Sequence, residues 1–333
     1  MAESEFIPIV DVRSPGEFFA GHIPGAVNIP IFDNEERKTV GILYKQRGRE
    51  EAILKGLEIV GPKMAGFVHN ALALTTQKKL NVHCWRGGMR SESMALLWKT
   101  VGFEVNVLPG GYKAYRQKVL SDFEQPLQLI VLGGKTGSGK TEILQELKKA
   151  GEQIIDLESL ACHKGSSFGA IGQLPQPSVE QFENNLHQAF LQLDSRRRIW
   201  VEDESHAIGR VYIPHPFWTQ MVAAPVMVVE VPLQERVKRL INEYAGAPKE
   251  EISDALLRIQ KRLGGQQLKQ AMKSLNENDF ATGAEIALQY YDKTYSHGLS
   301  QRSPSQIHTL AVGQDNPKIT AIQLIEYCQQ LPR

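Results

Sequence analysis

The chain has 333 residues, of which 42% are hydrophobic and 23% charged, with 38 Lys and Arg against 37 Asp and Glu. This length suffices for two domains with separate cores, and the composition is that of a folded protein rather than a disordered one. The formal net charge of +1 excludes the strongly basic character of a general nucleic-acid binder, so any RNA contact would rest on a local basic surface.

The first part of the chain alternates strand-like and helix-like segments. Buried strands are predicted at FIPIVDV, AVNIP, NVHC and EVNVL. Helices are predicted at SPGEFFAGH, over 62–80, over 89–100 and in GGYKAYRQKVLSDF. Strands that alternate with helices indicate a parallel sheet with crossovers, so we expect an α/β domain over residues 1–123.

The polar segment EQPLQ, residues 124–128, separates this domain from a second one predicted over 128–333. Strands are predicted at LIVLGG, 153–156, IWVED, VMVVEV and IHTLAV. The apolar stretch MVAAPVMVV from Met221 is a further buried-strand candidate. One helix is expected to begin at Lys140 and another at Val179. Further helices are expected after VMVVEV up to about residue 295, and a last helix is expected at the end of the sequence. The second domain is therefore also α/β, with additional C-terminal helices.

A phosphate-binding motif follows the first strand of the second domain. GKTGSGKT fits the pattern GxxxxGK[ST] and stands between an apolar strand and a helix. Glycines allow successive N–H groups to face a phosphate, Lys140 reaches the terminal phosphate oxygens, and the Thr141 hydroxyl can bind Mg²⁺. A glycine-rich turn that binds nothing is the alternative. The predicted phosphate-binding residues are Gly134, Lys135, Thr136, Gly137, Ser138, Gly139, Lys140 and Thr141.

Charged residues further along the chain are candidates for contact with the phosphates or with Mg²⁺ at this motif. RIWVEDES places acidic residues at the end of an apolar strand, where P-loop enzymes hold a Mg²⁺-bound water. Glu202 and Asp203 are the candidates for Mg²⁺ or phosphate contact, followed by Glu204; a solvated acidic turn is the alternative. Arg236 and Arg239 stand one helical turn apart and are either a lid over the phosphates or surface charges.

The segment HCWRGGMRS contains a candidate nucleophile. Cys84 follows a strand and precedes a helix, so its thiol faces backbone amides that include those of Gly87 and Gly88. These amides, with Arg86 and Arg90, favour the thiolate, which is the nucleophilic form. A buried structural cysteine is the alternative. Cys162 and Cys328 lack such a setting and are expected to be structural.

The three cysteines and the N-terminus indicate a cellular compartment. The cysteines are far apart and form no Cys-x-x-Cys pair, so neither a disulfide framework nor a structural metal site is expected. MAESEFIPIV lacks the basic and apolar regions of a signal peptide, and no run approaches the ~18 apolar residues of a membrane span. We expect a cytoplasmic protein without membrane contact.

The segment upstream of the cysteine loop, IVDVRSPGEFFAGHIPGAVNIP, closely resembles the rhodanese signature. Rhodaneses carry sulfur as a cysteine persulfide. Five residues rather than the usual four separate Cys84 from Arg90, however, and this is also the spacing of cysteine phosphatases. The loop alone does not decide between a chalcogen carrier and a phosphatase. The matching residues are Asp11, Arg13, Glu17, Gly21, His22, Ile23, Gly25, Ala26 and Asn28.

A rhodanese-like domain followed by a P-loop domain resembles the tRNA 2-selenouridine synthase family over nearly the whole chain. The segments that carry this resemblance are YKQRG, CWRGGMRS, GGYKAYRQ, DLESLACHKGSSFG and VEDES. The resemblance implies a transferase that replaces sulfur by selenium at carbon 2 of the wobble 2-thiouridine of tRNA through an S-geranylated intermediate. Selenophosphate and geranyl diphosphate are the implied co-substrates, and a selenophosphate-supplying enzyme is a candidate partner. By this resemblance Cys84 carries selenium as a selanyl group.

Contact with the tRNA anticodon loop requires basic and aromatic side chains. The spacing of the first three basic residues in the acid-free run 255–276 predicts one basic helical side, with a solvated helix as the alternative. The candidates are Arg258, Lys261, Arg262, Lys269 and Lys273. Arg196–Arg198 is a second basic candidate. Trp85, Phe168, Tyr290 and Tyr291 are candidate stacking platforms, with core packing as the alternative.

Two functions of other classes use the same motifs. One is a rhodanese-fold phosphatase or sulfurtransferase fused to a nucleotide-binding module. The other is a small-molecule kinase with a sulfur-sensing or docking domain. Neither requires an RNA-binding face, and the phosphatase has no use for the segment DLESLACHKGSSFG.

Overall fold

A computed structural model describes residues 7–244 and 246–330. The chain forms two compact units, the first ending at Asp122 and including Glu183–Asn185, the second comprising Phe123–Phe182 and the chain from Leu186 onward. The acidic start of the chain and the first residue of the predicted strand FIPIVDV lie outside the described residues. No helix in the described part of the chain is long and apolar enough to span a membrane.

The first unit is built on a parallel sheet in the order β2-β1-β3-β4. Its strands are β1 (Ile9–Asp11), β2 (Val27–Asn28), β3 (Lys79–His83) and β4 (Glu104–Val107). Its helices are α1 (Pro15–Ala20), α2 (Asn34–Gln46), α3 (Arg49–Val60), α4 (Met64–Leu74), α5 (Met89–Thr100) and α6 (Gly111–Asp122). Leu80, Val82 and Trp98 are fully buried in the core against this sheet.

Two differences from the predicted elements have simple causes. Helices α2 and α3 have no counterpart among the predictions, because α2 buries no residue and α3 buries only the small Ala52 and Gly56, so neither shows a clear stripe of large apolar residues. The helix predicted over 62–80 ends at Leu74, since Thr75 is extended and Lys78 has a left-handed φ of 55°. Leu80 lies in β3, where Leu80 and Val82 alternate into the core.

The second unit contains a parallel sheet in the order β11-β10-β5-β7-β6 and a short antiparallel hairpin of β8 and β9. Its strands are β5 (Gln128–Gly133), β6 (Gln153–Ile155), β7 (Arg198–Glu202), β8 (Ala207–Ile208), β9 (Val211–Tyr212), β10 (Val226–Glu230) and β11 (Ile307–Ala311). Strand β5 is central, which places the residues that follow it at the carboxyl edge of the sheet, where α/β folds bind ligands.

The helices of the second unit surround this sheet and extend beyond it. They are α7 (Lys140–Lys149), α8 (Leu157–Ala161), α9 (Val179–Phe190), α10 (His215–Ala223), α11 (Leu233–Tyr244), α12 (Lys249–Arg258), α13 (Gln260–Leu263), α14 (Gly265–Asn276), α15 (Phe280–Leu299) and α16 (Pro317–Gln330). Helices α12, α14 and α15 share a core that includes Ile252, Leu256, Leu275 and Ile286.

Two predictions for this unit are corrected. The single basic side through Arg258, Lys261 and Arg262 is wrong as predicted, because α12 ends at Arg258 and Lys261 and Arg262 belong to the short helix α13. Gly264, with φ 88°, then separates α13 from α14. In MVAAPVMVV the first three residues end α10, and the strand begins only after Pro225, which disfavours helical backbone before it.

Candidate active sites

Cys84 stands at the carboxyl end of β3, between two neighbouring strands of the first sheet. The loop that follows it leads directly into α5, whose first residue is Met89. Cys84 is 4% exposed. The loop therefore presents a mostly buried thiol at a helix N-terminus, where backbone N–H groups favour negative charge.

The thiol of Cys84 is held in an environment that favours its ionised form. Ser91 Oγ lies 3.3 Å from Cys84 Sγ and 2.9 Å from the carbonyl oxygen of Gly88, so its proton is shared between two acceptors. Burial by itself raises the pKa of Cys84. Hydrogen bonds from the Ser91 hydroxyl and from the N–H groups of Arg86 and Ser91, together with the charge of Arg90, outweigh it and lower the pKa below the usual value.

Arg90 is fixed in place by a carboxylate from α1. Its Nη1 donates to Glu17 Oε2 at 2.8 Å. Burial raises the pKa of Glu17, but the hydrogen bond and charge of Arg90, together with the Ser14 N–H and the charge of Arg37, outweigh burial and lower it below the usual value. Glu17 also caps α1 by accepting from the Ser14 N–H. Arg86, in contrast, is exposed and free to meet an incoming anion.

The start of the segment GGYKAYRQ packs directly against the backbone of the cysteine loop. Gly111 has φ 58°, and a Cβ there would collide with the carbonyl oxygen of Cys84. A Cβ on Gly87 would lie 2.6 Å from the carbonyl oxygen of Leu108. The N–H of Tyr112 also donates to the Cys84 carbonyl at 2.9 Å. The segment GGYKAYRQ therefore fixes the backbone of the loop, a role that sequence reasoning did not assign to it.

Replacing Ser91 by Ala should raise the pKa of Cys84 by about one unit, because the thiolate loses a hydrogen bond of roughly 1.5–3 kcal/mol that is shared with another acceptor. The pH midpoint of Cys84 alkylation should shift upward, and alkylation at pH 7 should become slower. Ser93→Ala, on the exposed side of the same helix, is the matched control. An unchanged midpoint in Ser91→Ala would show that Ser91 does not stabilise the thiolate.

The predicted phosphate-binding loop GKTGSGKT, residues 134–141 and named the Walker loop from here on, joins β5 to α7 at the carboxyl edge of the second sheet. Gly137 and Gly139 have φ values of 79° and 75°, which only glycine adopts easily. Lys140 Nζ donates to the carbonyl oxygen of Gly134 at 3.2 Å, so the side chain folds back over the loop. A cleft of about 1250 Å³ opens at this loop, lined by Gly134 and by residues 136–142.

Two arginines flank the loop in different ways. Arg236 is 4% exposed, pairs with Asp292 at 2.8 Å and donates to the carbonyl oxygen of Thr136. It is a structural support and not a movable lid. Arg239 lines the cleft, pairs with Asp315, and packs so closely on the loop that a Cβ on Gly139 would lie 2.7 Å from its Nη2. Neither arginine is a simple surface charge.

The acidic residues at this edge differ from the prediction. Glu202 is fully buried and accepts from the N–H of Leu157 at 2.9 Å, so it organises the start of α8 and does not line the cleft. Burial, and next the charge of Asp156, raise the pKa of Glu202 well above its usual value. Asp203 lines the cleft but accepts from Arg302 at 3.2 Å.

Glu158 and Glu204 are two cleft-lining carboxyl groups that interact with residues of the loop. Thr141 Oγ1 donates to Glu158 Oε2 at 3.0 Å. Burial, followed by the charge of Glu158, raises the pKa of Glu204 to about 8. Glu158 belongs to DLESLACHKGSSFG, and Gly165 of the same segment abuts the Glu204 carboxyl group. Eight residues of this segment line the cleft, although sequence reasoning named none of them for this role: Asp156, Glu158, Ser159, Cys162, Lys164, Gly165, Ser166 and Ser167.

The RNA-contact candidates fall into two groups. All five basic residues from Arg258 to Lys273 are exposed, but among them only Arg262 lines the cleft, where its Nη1 donates to Tyr290 Oη at 3.2 Å. Tyr291 also lines the cleft, whereas Phe168 packs against Tyr244 and Tyr291. Trp85 is 38% exposed and lies in the first unit beside Tyr112.

The remaining candidates are largely engaged elsewhere. Arg198 forms a two-pronged ion pair with Glu152, Arg196 pairs with Asp194, and Arg197 donates to the carbonyl oxygen of Gly151.

The other two cysteines lie in the second unit. Cys162 lines the cleft with φ 49°, and burial raises the pKa of Cys328 to about 11. Within the described residues, no group of three or more His, Cys, Asp or Glu side chains is placed to hold a metal ion.

Comparison with known proteins matches each part of the chain to a protein family. Residues 1–118 match the family of rhodanese-like domains, and residues 127–316 match the family described as the tRNA 2-selenouridine synthase AAA domain. Three relatives carry the name tRNA 2-selenouridine synthase. The relative from Sulfurovum sp. is 35% identical, and the alignment covers 90% of each chain. The relatives from Shewanella halifaxensis and Bdellovibrio bacteriovorus are 36% and 34% identical, and each alignment covers 89% of this chain and 90% of the relative.

Proposed function

The chain belongs to the tRNA 2-selenouridine synthase family, and from this premise we propose that it exchanges sulfur for selenium at the wobble 2-thiouridine of tRNA in two steps. The observation that carries the proposal is the presence in one chain of a thiolate-stabilising cysteine loop and a Walker loop. The first site suits selenium transfer and the second suits reaction of a diphosphate. We propose that the enzyme acts in the cytoplasm, where tRNA and reduced thiols are available.

In the first step, the thiocarbonyl sulfur attacks carbon 1 of geranyl diphosphate. The sulfur–carbon bond forms, the carbon–oxygen bond breaks, and diphosphate leaves with the electron pair while the base loses its N3 proton. Lys140 and the N–H groups of residues 134–141 stabilise the charge that develops on the departing diphosphate. Alkylation turns a poor leaving group into a thioether, which a selenium nucleophile can displace.

Mg²⁺ fits the residues present beside the diphosphate. Thr141 and Glu158 offer oxygen ligands 3.0 Å apart, and Mg²⁺ commonly binds one or two such groups together with substrate phosphates. When bound there, the ion would neutralise part of the diphosphate charge. Glu158 then orients the Thr141 hydroxyl, and Glu204 adds a second carboxyl group nearby.

In the second step, Cys84 is the selenium acceptor. Its thiolate attacks selenium, the Sγ–Se bond forms, the Se–P bond breaks, and phosphorus leaves with the bonding pair as phosphite, so phosphorus is reduced from P(V) to P(III) as selenium becomes the outer atom of a selenosulfide. The Cys84 selanyl group attacks carbon 2 of the geranylated base and expels geranylthiolate. A small-molecule thiol then attacks Cys84 Sγ, the bonding pair stays on the selenium of the base, and a second thiol reduces the resulting mixed disulfide and regenerates Cys84. Arg86, Arg90 and the amides of Gly87 and Gly88 attract the selenophosphate anion and stabilise the selenolate.

Removing Arg262, an exposed arginine that lines the cleft, should weaken tRNA binding. Arg262→Ala eliminates one exposed cation beside Tyr290, so affinity for thiolated tRNA should fall and the slope of log K against log salt should decrease by about 1. Filter binding at several salt concentrations measures both quantities. Lys318→Ala, an exposed lysine of α16, is the control of matched charge change. An unchanged slope in Arg262→Ala would exclude a phosphate contact at this position.

The proposed function is tested by omission of single components. Purified protein is incubated with thiolated tRNA, selenophosphate, geranyl diphosphate, Mg²⁺ and a thiol, each is left out in turn, and the nucleosides are analysed by mass spectrometry. Geranylated thiouridine should accumulate without selenophosphate, and selenouridine should form only when both co-substrates are present. Absence of both products under all conditions contradicts the proposal. Cys84-dependent hydrolysis of aryl phosphates, or ATP turnover without tRNA, would instead favour a phosphatase or a kinase.

A further inference from the structure

An apolar cavity of about 80 Å³ lies among the helices that follow the second sheet. Helices α11, α12, α14 and α15 surround it, and a water needs only ~10–15 Å³ of such space. The cavity therefore has room for a chain of several heavy atoms. Its apolar lining is contributed mainly by Leu240, Ile241, Ile252, Leu256, Leu275 and Phe280, with Ala and Gly between them.

This cavity adjoins the phosphate cleft. Five residues line both spaces, namely Thr136, Ser166, Leu240, Tyr244 and Tyr291. Thr136 belongs to the Walker loop, so a molecule whose phosphates occupy that loop has an apolar space directly beside it. A nucleotide base placed there would leave its polar edges without partners, which is costly when they are buried. The chemistry that fits both spaces is an apolar chain attached to a diphosphate.

We propose that this cavity binds the hydrocarbon chain of the allylic diphosphate, that Gly283, Ala284 and Ala287 of α15 leave the room for it, and that Phe280 sets the longest chain accepted. The inference rests on the proposed function, because it places the substrate of the first step. It adds the position of the chain and the residues that select its length.

The geometry of α15 explains how chain length is selected. Tyr291, Ala287, Ala284, Gly283 and Phe280 all line the cavity, and their spacing places them on one helix face. From Tyr291, which also lines the phosphate cleft, to Gly283 is about 12 Å at ~1.5 Å per residue. This is the scale of a ten-carbon chain. Phe280 lines the cavity about one turn beyond Gly283 along α15, where its ring is placed to limit the length of the chain.

Gly283 is the position at which the cavity can be shortened with least disturbance. A Cβ added there meets no atom within 4 Å, so a larger side chain can enter the cavity without striking the backbone. Leucine is also a better helix former than glycine by roughly 0.8 kcal/mol, so Gly283→Leu should fold normally. Ala281→Leu, on the exposed side of the same helix, is the matched control.

The test compares allylic diphosphates of five, ten and fifteen carbons with thiolated tRNA. Gly283→Leu should lower kcat/KM for the ten-carbon substrate by about tenfold or more relative to the five-carbon one, since each methylene in a pocket is worth roughly 10-fold or more. Ala281→Leu should keep the wild-type preference. Phe280→Ala should increase the use of the fifteen-carbon substrate relative to the ten-carbon one. Inhibition by inorganic diphosphate should be equal in all variants, because the Walker loop is unchanged.

Failure of this inference differs from failure of the proposed function. If the wild type transfers the ten-carbon chain but the variants keep its chain-length preference, or lose all substrates equally, the cavity does not hold the chain and the inference is overturned. If the wild type transfers no chain from any diphosphate, the proposed first step is wrong, and the inference falls with it.

Discussion

Lys140→Ala should lower geranylation of thiolated tRNA by about 100-fold or more, since a preorganised donor aimed at developing charge is commonly worth 10²–10³ in rate. Lys140 is the cation of the Walker loop whose side chain folds over the residues that would meet the diphosphate. Initial rates of geranylthiouridine formation, measured by mass spectrometry, give the effect. The thermal unfolding midpoint should change little, because Lys140 makes a single hydrogen bond in the loop.

Lys148→Ala is the matched control for this prediction. It removes an exposed lysine from the same helix outside the cleft, so its geranylation rate should equal that of the wild type. A Lys140→Ala rate within a factor of two of the wild type would mean that the reacting diphosphate does not sit in the Walker loop.

Cys84→Ala should abolish formation of 2-selenouridine while leaving geranylation at the wild-type rate. Without the thiolate there is no acceptor for selenium, whereas the Walker loop remains intact in the other unit. Geranylated thiouridine should therefore accumulate even when selenophosphate is present. Cys328→Ala removes a thiol whose pKa is raised to about 11 by burial, and it should retain both activities. Full selenation by Cys84→Ala would eliminate the carrier role.

Much of the architecture was predictable because it follows from local patterns. The Walker loop and the strands β3 and β5 are marked by apolar runs that end in glycine-rich turns, and the parallel arrangement follows from their alternation with helices. The family was also predictable, because the order of the two motifs and the segments between them are specific. The polar helix α2 was missed, since it buries no residue and contributes no apolar periodicity.

Roles that depend on three-dimensional contacts could not be read from the sequence. Glu202 and Glu204 are separated by one residue, yet the first is buried under α8 and the second faces the cleft. Glu158 reaches Thr141 from a different segment, 17 residues along the chain. The apolar cavity is assembled from four helices, so no single stretch of sequence carries its signature. Arg236 and Arg239 stand one helical turn apart and both contact the loop, yet Arg236 is buried beneath it whereas Arg239 lines the cleft.

The central claim is that the Walker loop serves only the first step and Cys84 only the second. It is tested most directly by giving Lys140→Ala a tRNA anticodon stem-loop that already carries S-geranyl-2-thiouridine, together with selenophosphate and a thiol. Selenouridine should form at the wild-type rate, because the step that needs Lys140 has been bypassed, and Cys84→Ala should form none from the same RNA. Loss of selenation in Lys140→Ala on this substrate would contradict the division of labour between the two sites.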